Sequence, residues 1–334
     1  MTTAPPSAAP PLAPPDDQKY RIWDGYWRDS RLHSLGAENP EVEAALDKHW
    51  HLVAELLPPQ ACILDIACGN GAAALAIAKA GHQFGKGFAI AGIDAASIEP
   101  ARYAIRHGEL LRTIQFHGNT RMDELPFKDG LFDAVVSQYG IEYGDLARAT
   151  WEVSRVLKPA GIVSILAMPA TSSVLEVART KVKQSQYIMS ESKLFDVMLV
   201  VLQALHHVES AGGGRDTKQY LDRFNGEVER AMARFAKVDS DMVIAVVVAL
   251  QRILTERRNL DITHQIAAVN VLRKRMADHV ARTDAMMRSA LGDAGLNGLK
   301  RRLHEAGISV QESKPVSVGQ HGDVAWRVSA RKGD

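Results

Sequence analysis

Two carboxylates and one glycine turn carry the chemistry that this sequence offers. Asp65 sits inside the apolar run Cys62-Ile63-Leu64-Asp65-Ile66, and Ala67-Cys68-Gly69-Asn70-Gly71 follows before an alanine-rich stretch from Ala72 to Ala80. That order reads as a buried strand, a tight turn and a helix. Glycine lets the backbone approach a ligand with no Cβ in the way, and the helix start presents N–H groups and a positive end to an anion. A second apolar run, Phe88 to Ile93, ends in Asp94, 23 positions beyond Gly71. A carboxylate at about that distance suits the two hydroxyls of a ribose. Together these features predict a ligand with a nucleoside part. The glycine spacing alone also serves a dinucleotide, because Ala74 stands where G-x-G-x-x-G wants its third small residue.

Further segments narrow the choice. Asp65-Ile66-Ala67-Cys68-Gly69-Asn70-Gly71 resembles the D-x-G-x-G-x-G motif of class I S-adenosylmethionine-dependent methyltransferases. Leu125-Pro126-Phe127, with Phe132-Asp133-Ala134-Val135 after it, is similar to the pattern of the subgroup that includes ubiquinone and menaquinone biosynthesis enzymes. Leu157-Lys158-Pro159-Ala160-Gly161 before a strand is another mark of that family, so the resemblance runs from Cys62 to Met168. It implies S-adenosylmethionine as cofactor, with Asp65, Ala67, Gly69, Asn70 and Gly71 around its methionine end, and Asp94 and Ala95 at the ribose. It also implies a backbone N–H from Met122 to the adenine. In the subgroup the residue four before Leu-Pro-Phe is acidic and meets the adenine amino group. Here it is Arg121, which has no acceptor, so that contact passes to Asn119 or Asp123. Where the family has its first glycine this chain has Ala67, and alanine there predicts a negative φ.

These residues need a doubly wound, Rossmann-like α/β sheet of seven strands to position them. A helix from Pro100 towards Gly108, a strand from Thr113 to Phe116 and a strand from Phe132 to Ser137 follow Asp94. Ligands bind beyond the carboxyl ends of parallel strands, which puts Gln138 at the cofactor and Tyr139, Glu142 and Tyr143 beside the reacting methyl group as substrate contacts. A helix through Ala147, Trp151, Val153 and Leu157 and a strand from Ile162 to Met168 come next. At the other end, the helix from Leu299 with its stop at Gly307, and strands Ser309 to Val316 and Asp323 to Ala330, look like the closing antiparallel pair of the family's sheet. Residues 59–170 and 296–334 therefore form the core.

Residues 171–295 are an insertion, helical throughout, with helices at Leu194 to Val208, Tyr220 to Phe235, Met242 to Leu254 and Ile266 to Met276 and a break at Gly212-Gly213-Gly214. Sitting after the fifth strand, it is expected to act as an all-helical lid over the acceptor, with a homodimer surface as the other use. Residues 20–58 read as an N-terminal helical cover, split at Gly36 and Pro40, whose Tyr26 or Trp27 closes over the site. Residues 1–19 read as a disordered tail, since the first 15 hold six of the chain's 14 prolines.

Composition sets limits. A net charge of +1, with 46% apolar and 24% charged residues, describes a globular chain with no general attraction for nucleic acid. No run of about 18 apolar residues suggests a membrane span. Cys62 and Cys68 fit neither a C-x-x-C pair nor a zinc set, and the adjacent His206 and His207 point about 100° apart on a helix. No metal site is expected, and a reduced cytoplasmic setting is the simplest expectation. The predicted activity is methyl transfer to a small, at least partly apolar organic acceptor, with no catalytic base legible. An NAD-type oxidoreductase would use Asp94 and the glycine turn but leave the Leu-Pro-Phe and Leu-Lys-Pro segments without a role. An inactive cofactor-binding scaffold with a helical interaction surface is the third reading.

Overall fold

Short apolar β-branched runs and amphipathic stretches alternate along the chain, and each becomes an element. The computed structural model describes residues 18–29, 32, 39–211, 217–236 and 241–334. The proline-rich tail through residue 17, Gly36 and the Gly212-Gly213-Gly214 break lie outside them. Two helices come first, α1 (Gln18–Arg28) and α2 (Pro40–Leu56). Asn39 starts α2 by accepting from the N–H groups of Glu41 and Val42, with Pro40 in the first turn where its missing N–H costs nothing. Strand β1 (Cys62–Ile66), helix α3 (Ala72–Gln83) and strand β2 (Ala89–Ile93) follow.

The run from Pro100 is not one helix. It forms two short pieces, α4 (Pro100–Tyr103) and α5 (Gly108–Leu111), because the buried Ala104 leaves helical geometry at φ −90°, ψ 58°. Next are β3 (Gln115–His117), β4 (Phe132–Gln138), α6 (Leu146–Val156) and β5 (Leu157–Ala167). Thus β5 takes in the Leu-Lys-Pro-Ala-Gly segment that the sequence assigns to a turn. Five helices then run in succession: α7 (Ser173–Ser190), α8 (Leu194–Ser210), α9 (Lys218–Arg234), α10 (Asp241–Glu256) and α11 (Ile262–Ser289). Helix α12 (Asp293–Glu305) and strands β6 (Ile308–Ser317) and β7 (Asp323–Lys332) close the chain.

The seven strands form one sheet in the order β3-β2-β1-β4-β5-β7-β6. The pairings β3 to β2, β2 to β1, β1 to β4 and β4 to β5 are parallel, and β7 runs antiparallel to both β5 and β6. Strand order reverses between β1 and β4, the switch point where open α/β sheets bind ligands. One face of the sheet packs on α2 and α3 through Leu46, Trp50, Leu75 and Ile77. The other packs on α6 and α12 through Val153, Leu299 and Leu303. Both faces are covered, which is why β1 and β2 are apolar nearly throughout.

Side chains from the recognisable segments brace the sheet. Asp133 accepts from Cys62 N at 2.8 Å and from Lys158 Nζ at 2.8 Å, tying the starts of β1, β4 and β5 together. Arg155 on α6 donates to the carbonyls of Leu125 (2.9 Å) and Phe127 (2.7 Å), while Glu152 accepts from Leu125 N at 2.7 Å. The Leu-Pro-Phe loop is thus held by α6.

The chain divides into two compact units, residues 1–175 with 285–334, and residues 176–284. The second unit has its own core, in which Phe195, Val201, Phe224, Val246, Leu250 and Val269 are buried. Among the described residues no helix is long and apolar enough to cross a membrane.

Candidate functional site

A cavity opens where β1, β2 and β4 end, and every residue lining it belongs to the first unit. Asp65, Ala67 and Cys68 from the end of β1, with Ala72 and Ala73 from the first turn of α3, line one part. Ile93, Asp94 and Ala95 follow β2, residues 120–123 follow β3, and Gln138, Tyr139, Gly140, Tyr143 and Gly144 follow β4. Tyr20, Trp23 and Trp27 come from α1, with Leu32 beyond it.

The turn after β1 is built by backbone geometry. Ala67, Gly69 and Gly71 have φ of 51°, 53° and 81°, all left-handed. The expectation of a negative φ at Ala67 is therefore wrong: tertiary bonds hold alanine in a conformation that disfavours an L side chain by about 1 to 2 kcal/mol. Those bonds run from Cys68 N to Ile93 O at 2.9 Å and from Gly69 N to Asp94 Oδ2 at 2.8 Å. A Cβ on Gly69 would lie 2.3 Å from the Trp27 ring, and one on Gly71 2.5 Å from Phe116, so both positions need glycine for space as well as for φ. Asn70 is fully buried and donates to Trp27 O at 2.8 Å, fastening α1 to the turn. Asp24 on the same helix accepts from Ser97 N at 2.8 Å.

The cavity wall carries the carboxyl groups of Asp65, Asp94 and Asp123 and the guanidinium of Arg121. Asp65 is 1% exposed; its Oδ2 accepts from Ala74 N at 3.1 Å, and its Oδ1 has no partner among the described residues. Burial pushes its carboxyl up to about 8, against the pull of the Ala74 bond. Asp94 Oδ1 accepts from Ala96 N at 2.8 Å, and burial raises that carboxyl to about 6. Each Asp94 oxygen keeps a second lone pair for a ligand. Asp123 is gripped by the Arg121 guanidinium at 2.8 and 2.6 Å, which holds its carboxyl below the ordinary range. Arg121 also lies 5.9 Å from the Tyr20 ring.

The structure brings together Asp65, Ala67, Asp94, Ala95, Arg121, Met122 and Gln138 from the cofactor set and Trp27, Tyr139 and Tyr143 from the substrate set. Gln138 is oriented by Trp50, whose Nε1 donates to its Oε1 at 2.5 Å. Gly69, Asn70 and Gly71 shape the turn from behind the wall. Asn119 is exposed and off the wall, at φ 53°, so of Asn119 and Asp123 only Asp123 lines the cavity. Glu142 is not on the wall either. It is buried, accepts from Met168 N at 2.9 Å, and burial raises it to about 7. Tyr139 donates to Val324 O at 2.8 Å, and burial pushes its phenol, like that of Tyr143, well above its usual range.

Tyr26 packs edge-on against Trp27 at 5.0 Å and does not line the cavity. The lining face of α1 is Tyr20, Trp23 and Trp27, spaced i, i+3, i+7, a stripe present in the sequence but overlooked beside the Tyr26-Trp27 pair. Trp23 meets Tyr143 edge to face at 5.6 Å. Thr120, Gly140 and Gly144 carry no sequence signal of their own.

Residues 63–161 match the family model described as a methyltransferase domain. With the sheet order and the glycine turn, this makes that stretch a methyltransferase domain of the class I, S-adenosylmethionine-dependent type. The chain is 34% identical over 109 residues to the chloroplastic 2-phytyl-1,4-beta-naphthoquinone methyltransferase of Arabidopsis thaliana, covering 31% of this chain and 40% of that one. It is 28% identical over 152 residues to the dimethylglycine N-methyltransferase of Parasynechococcus marenigrum, covering 43% of this chain and 51% of the relative. The chain thus spans about half or less of the length of these relatives. Among solved structures, the 1,6-didemethyltoxoflavin-N1-methyltransferase of Burkholderia thailandensis aligns with a TM-score of 0.45 at 13% identity, over 98% of this chain and 94% of that one.

Proposed function

We propose that this chain transfers a methyl group from S-adenosylmethionine to a small, partly apolar organic acceptor. The observation that carries the reading is the unpartnered Oδ1 of Asp65, buried in the cavity beside a glycine turn. A buried carboxylate without a partner is costly unless a cation completes it, and the ammonium of the cofactor's methionine end is such a cation. Asp94 suits the ribose hydroxyls, and Asp123 suits the adenine amino group in place of the acid missing at position 121. Bound, the cofactor supplies an electrophilic methyl on a sulfonium. The chain's own contribution is to orient the two reactants and keep water away.

A dinucleotide fits less well. Its pyrophosphate would face Asp65 and Asp94, and Arg121, the cation among the described lining residues, is engaged by Asp123. The acceptor reading is supported by the rings of Trp23, Trp27 and Tyr143 and by Leu32, which offer a mainly apolar wall. An amino-acid acceptor such as dimethylglycine would bring a carboxylate that this wall does not match. The helical second unit supplies no lining residue, and the use proposed for it is the one expected from the sequence, a lid on the acceptor. Incubation with methyl-labelled S-adenosylmethionine and a panel of hydroquinones, naphthols, small amines and dimethylglycine tests the reading. Label is expected in the planar aromatic acceptors. Label confined to dimethylglycine would overturn the acceptor class.

A further inference from the structure

We propose that Ala67 and Gly140 form a size-coupled pair that sets the room left for the cofactor's amino-acid arm, which makes Ala67 a determinant of cofactor affinity. The inference rests on the cofactor reading above. Ala67 lines the cavity between Asp65 and the glycine turn and holds a φ of 51° that alanine rarely adopts. A backbone outlier at a ligand cavity points to a use for the side chain that is kept there. Glycine would relax the turn, yet the chain carries a methyl.

The reason that methyl matters is visible at Gly140, which lines the same cavity. A Cβ built on Gly140 would lie 2.6 Å from Ala67 Cβ, 3.0 Å from Ala67 O and 3.1 Å from Ser137 Oγ. The wall cannot give way readily, because Ser137 Oγ donates to Ile66 O at 3.1 Å and accepts from Ile141 N at 3.0 Å, joining the end of β1 to the turn after β4. With the Ala67 methyl in place a methyl at position 140 is excluded, and without it the 3.0 Å approach to Ala67 O would still leave position 140 tight. At position 140 a methyl would stand with Tyr139 and Tyr143. The chain keeps its methyl at position 67, two residues from Asp65, and glycine at position 140.

The test is a four-member cycle of parent, Ala67→Gly, Gly140→Ala and the double variant. Each is titrated with S-adenosylhomocysteine by calorimetry and melted without ligand. Ala67→Gly is expected to melt no lower than the parent and to bind about four-fold more weakly, the effect of one lost methyl contact. Gly140→Ala is expected to bind more than ten-fold more weakly, or not to fold, and adding Ala67→Gly is expected to recover part of the loss. If Gly140→Ala does not fold, Ala67→Gly and the double variant still decide. A parent that does not bind S-adenosylhomocysteine defeats the cofactor reading itself. A parent that binds, together with an Ala67→Gly variant of equal affinity or a double variant no better than Gly140→Ala, overturns the pair alone.

Discussion

Asp65→Asn should strengthen the ligand-free protein and weaken its hold on the cofactor. Burial holds the Asp65 carboxyl at about 8, whereas an unfolded chain ionises it near pH 4. A folded pKa raised in this way gives stability that is complete below the unfolded pKa and is lost as pH rises through the folded one. At pH 7 roughly three of the four units are expressed, which at 1.36 kcal/mol each is about 4 kcal/mol of lost stability. Asparagine does not titrate and can still accept from Ala74 N. It puts an amide N–H where Oδ1 has no partner, a cost of about 1 to 3 kcal/mol. The balance is a gain of roughly 1 to 3 kcal/mol at pH 7, larger at pH 8.5 and absent or reversed at pH 4. Urea unfolding of both proteins at these three pH values reads this directly. Calorimetry should show S-adenosylmethionine binding weakened by about 10- to 100-fold, the worth of one charge-assisted hydrogen bond. An Asp65→Asn protein less stable than the parent at pH 8.5, or one that binds equally well, would refute the reasoning.

Much of this was legible in the sequence where the signal is local. Asp65, the glycine turn and Asp94 stand at fixed distances from the strand ends that carry them, so their types and spacing locate the cavity. What depends on long-range bonds could not be read. The φ of Ala67 is imposed by Ile93 and Asp94, and nothing in the neighbouring sequence says so. Glu152 and Arg155 look like an ordinary surface pair on a helix and do pair at 2.8 Å, but they also hold the backbone of Leu125 and Phe127. Helix α7 lies in the stretch expected to be helical throughout, but its bounds are not legible because it buries the polar Gln184 and Ser185 beside Val182 and Ile188, which blurs its apolar period. Glu142 sits beside the cavity-lining Tyr143 in sequence, but it turns inward to Met168 N.

Asp94→Ala removes the acceptor of Gly69 N and Ala96 N as well as the ribose carboxylate, and S-adenosylmethionine affinity should fall ten-fold or more by calorimetry; unchanged affinity would remove Asp94 from the site. Lys86 Nζ donates to the carbonyls of Ala54, Glu55 and Leu57 at 3.0, 2.6 and 2.7 Å, closing the end of α2. Lys86→Met should cost about 2 kcal/mol and lower the melting temperature by about 4 to 8 °C, with a smaller change if the bonds are only incidental. Replacing residues 176–284 by a flexible Gly/Ser linker should leave cofactor binding in part while abolishing turnover. Turnover at the parent rate would make the helical unit an oligomerisation element.

The cavity beside Asp65 is expected to take S-adenosylmethionine. Calorimetric titration of the full chain with S-adenosylmethionine and, separately, with NAD at pH 6 and pH 8 tests it most directly. Ionised Asp65 is the form that binds the ammonium, so one S-adenosylmethionine site is expected, tighter at pH 8 than at pH 6, with proton release at the lower pH and no binding of NAD. Saturable binding of NAD, or no S-adenosylmethionine site at either pH, would contradict it.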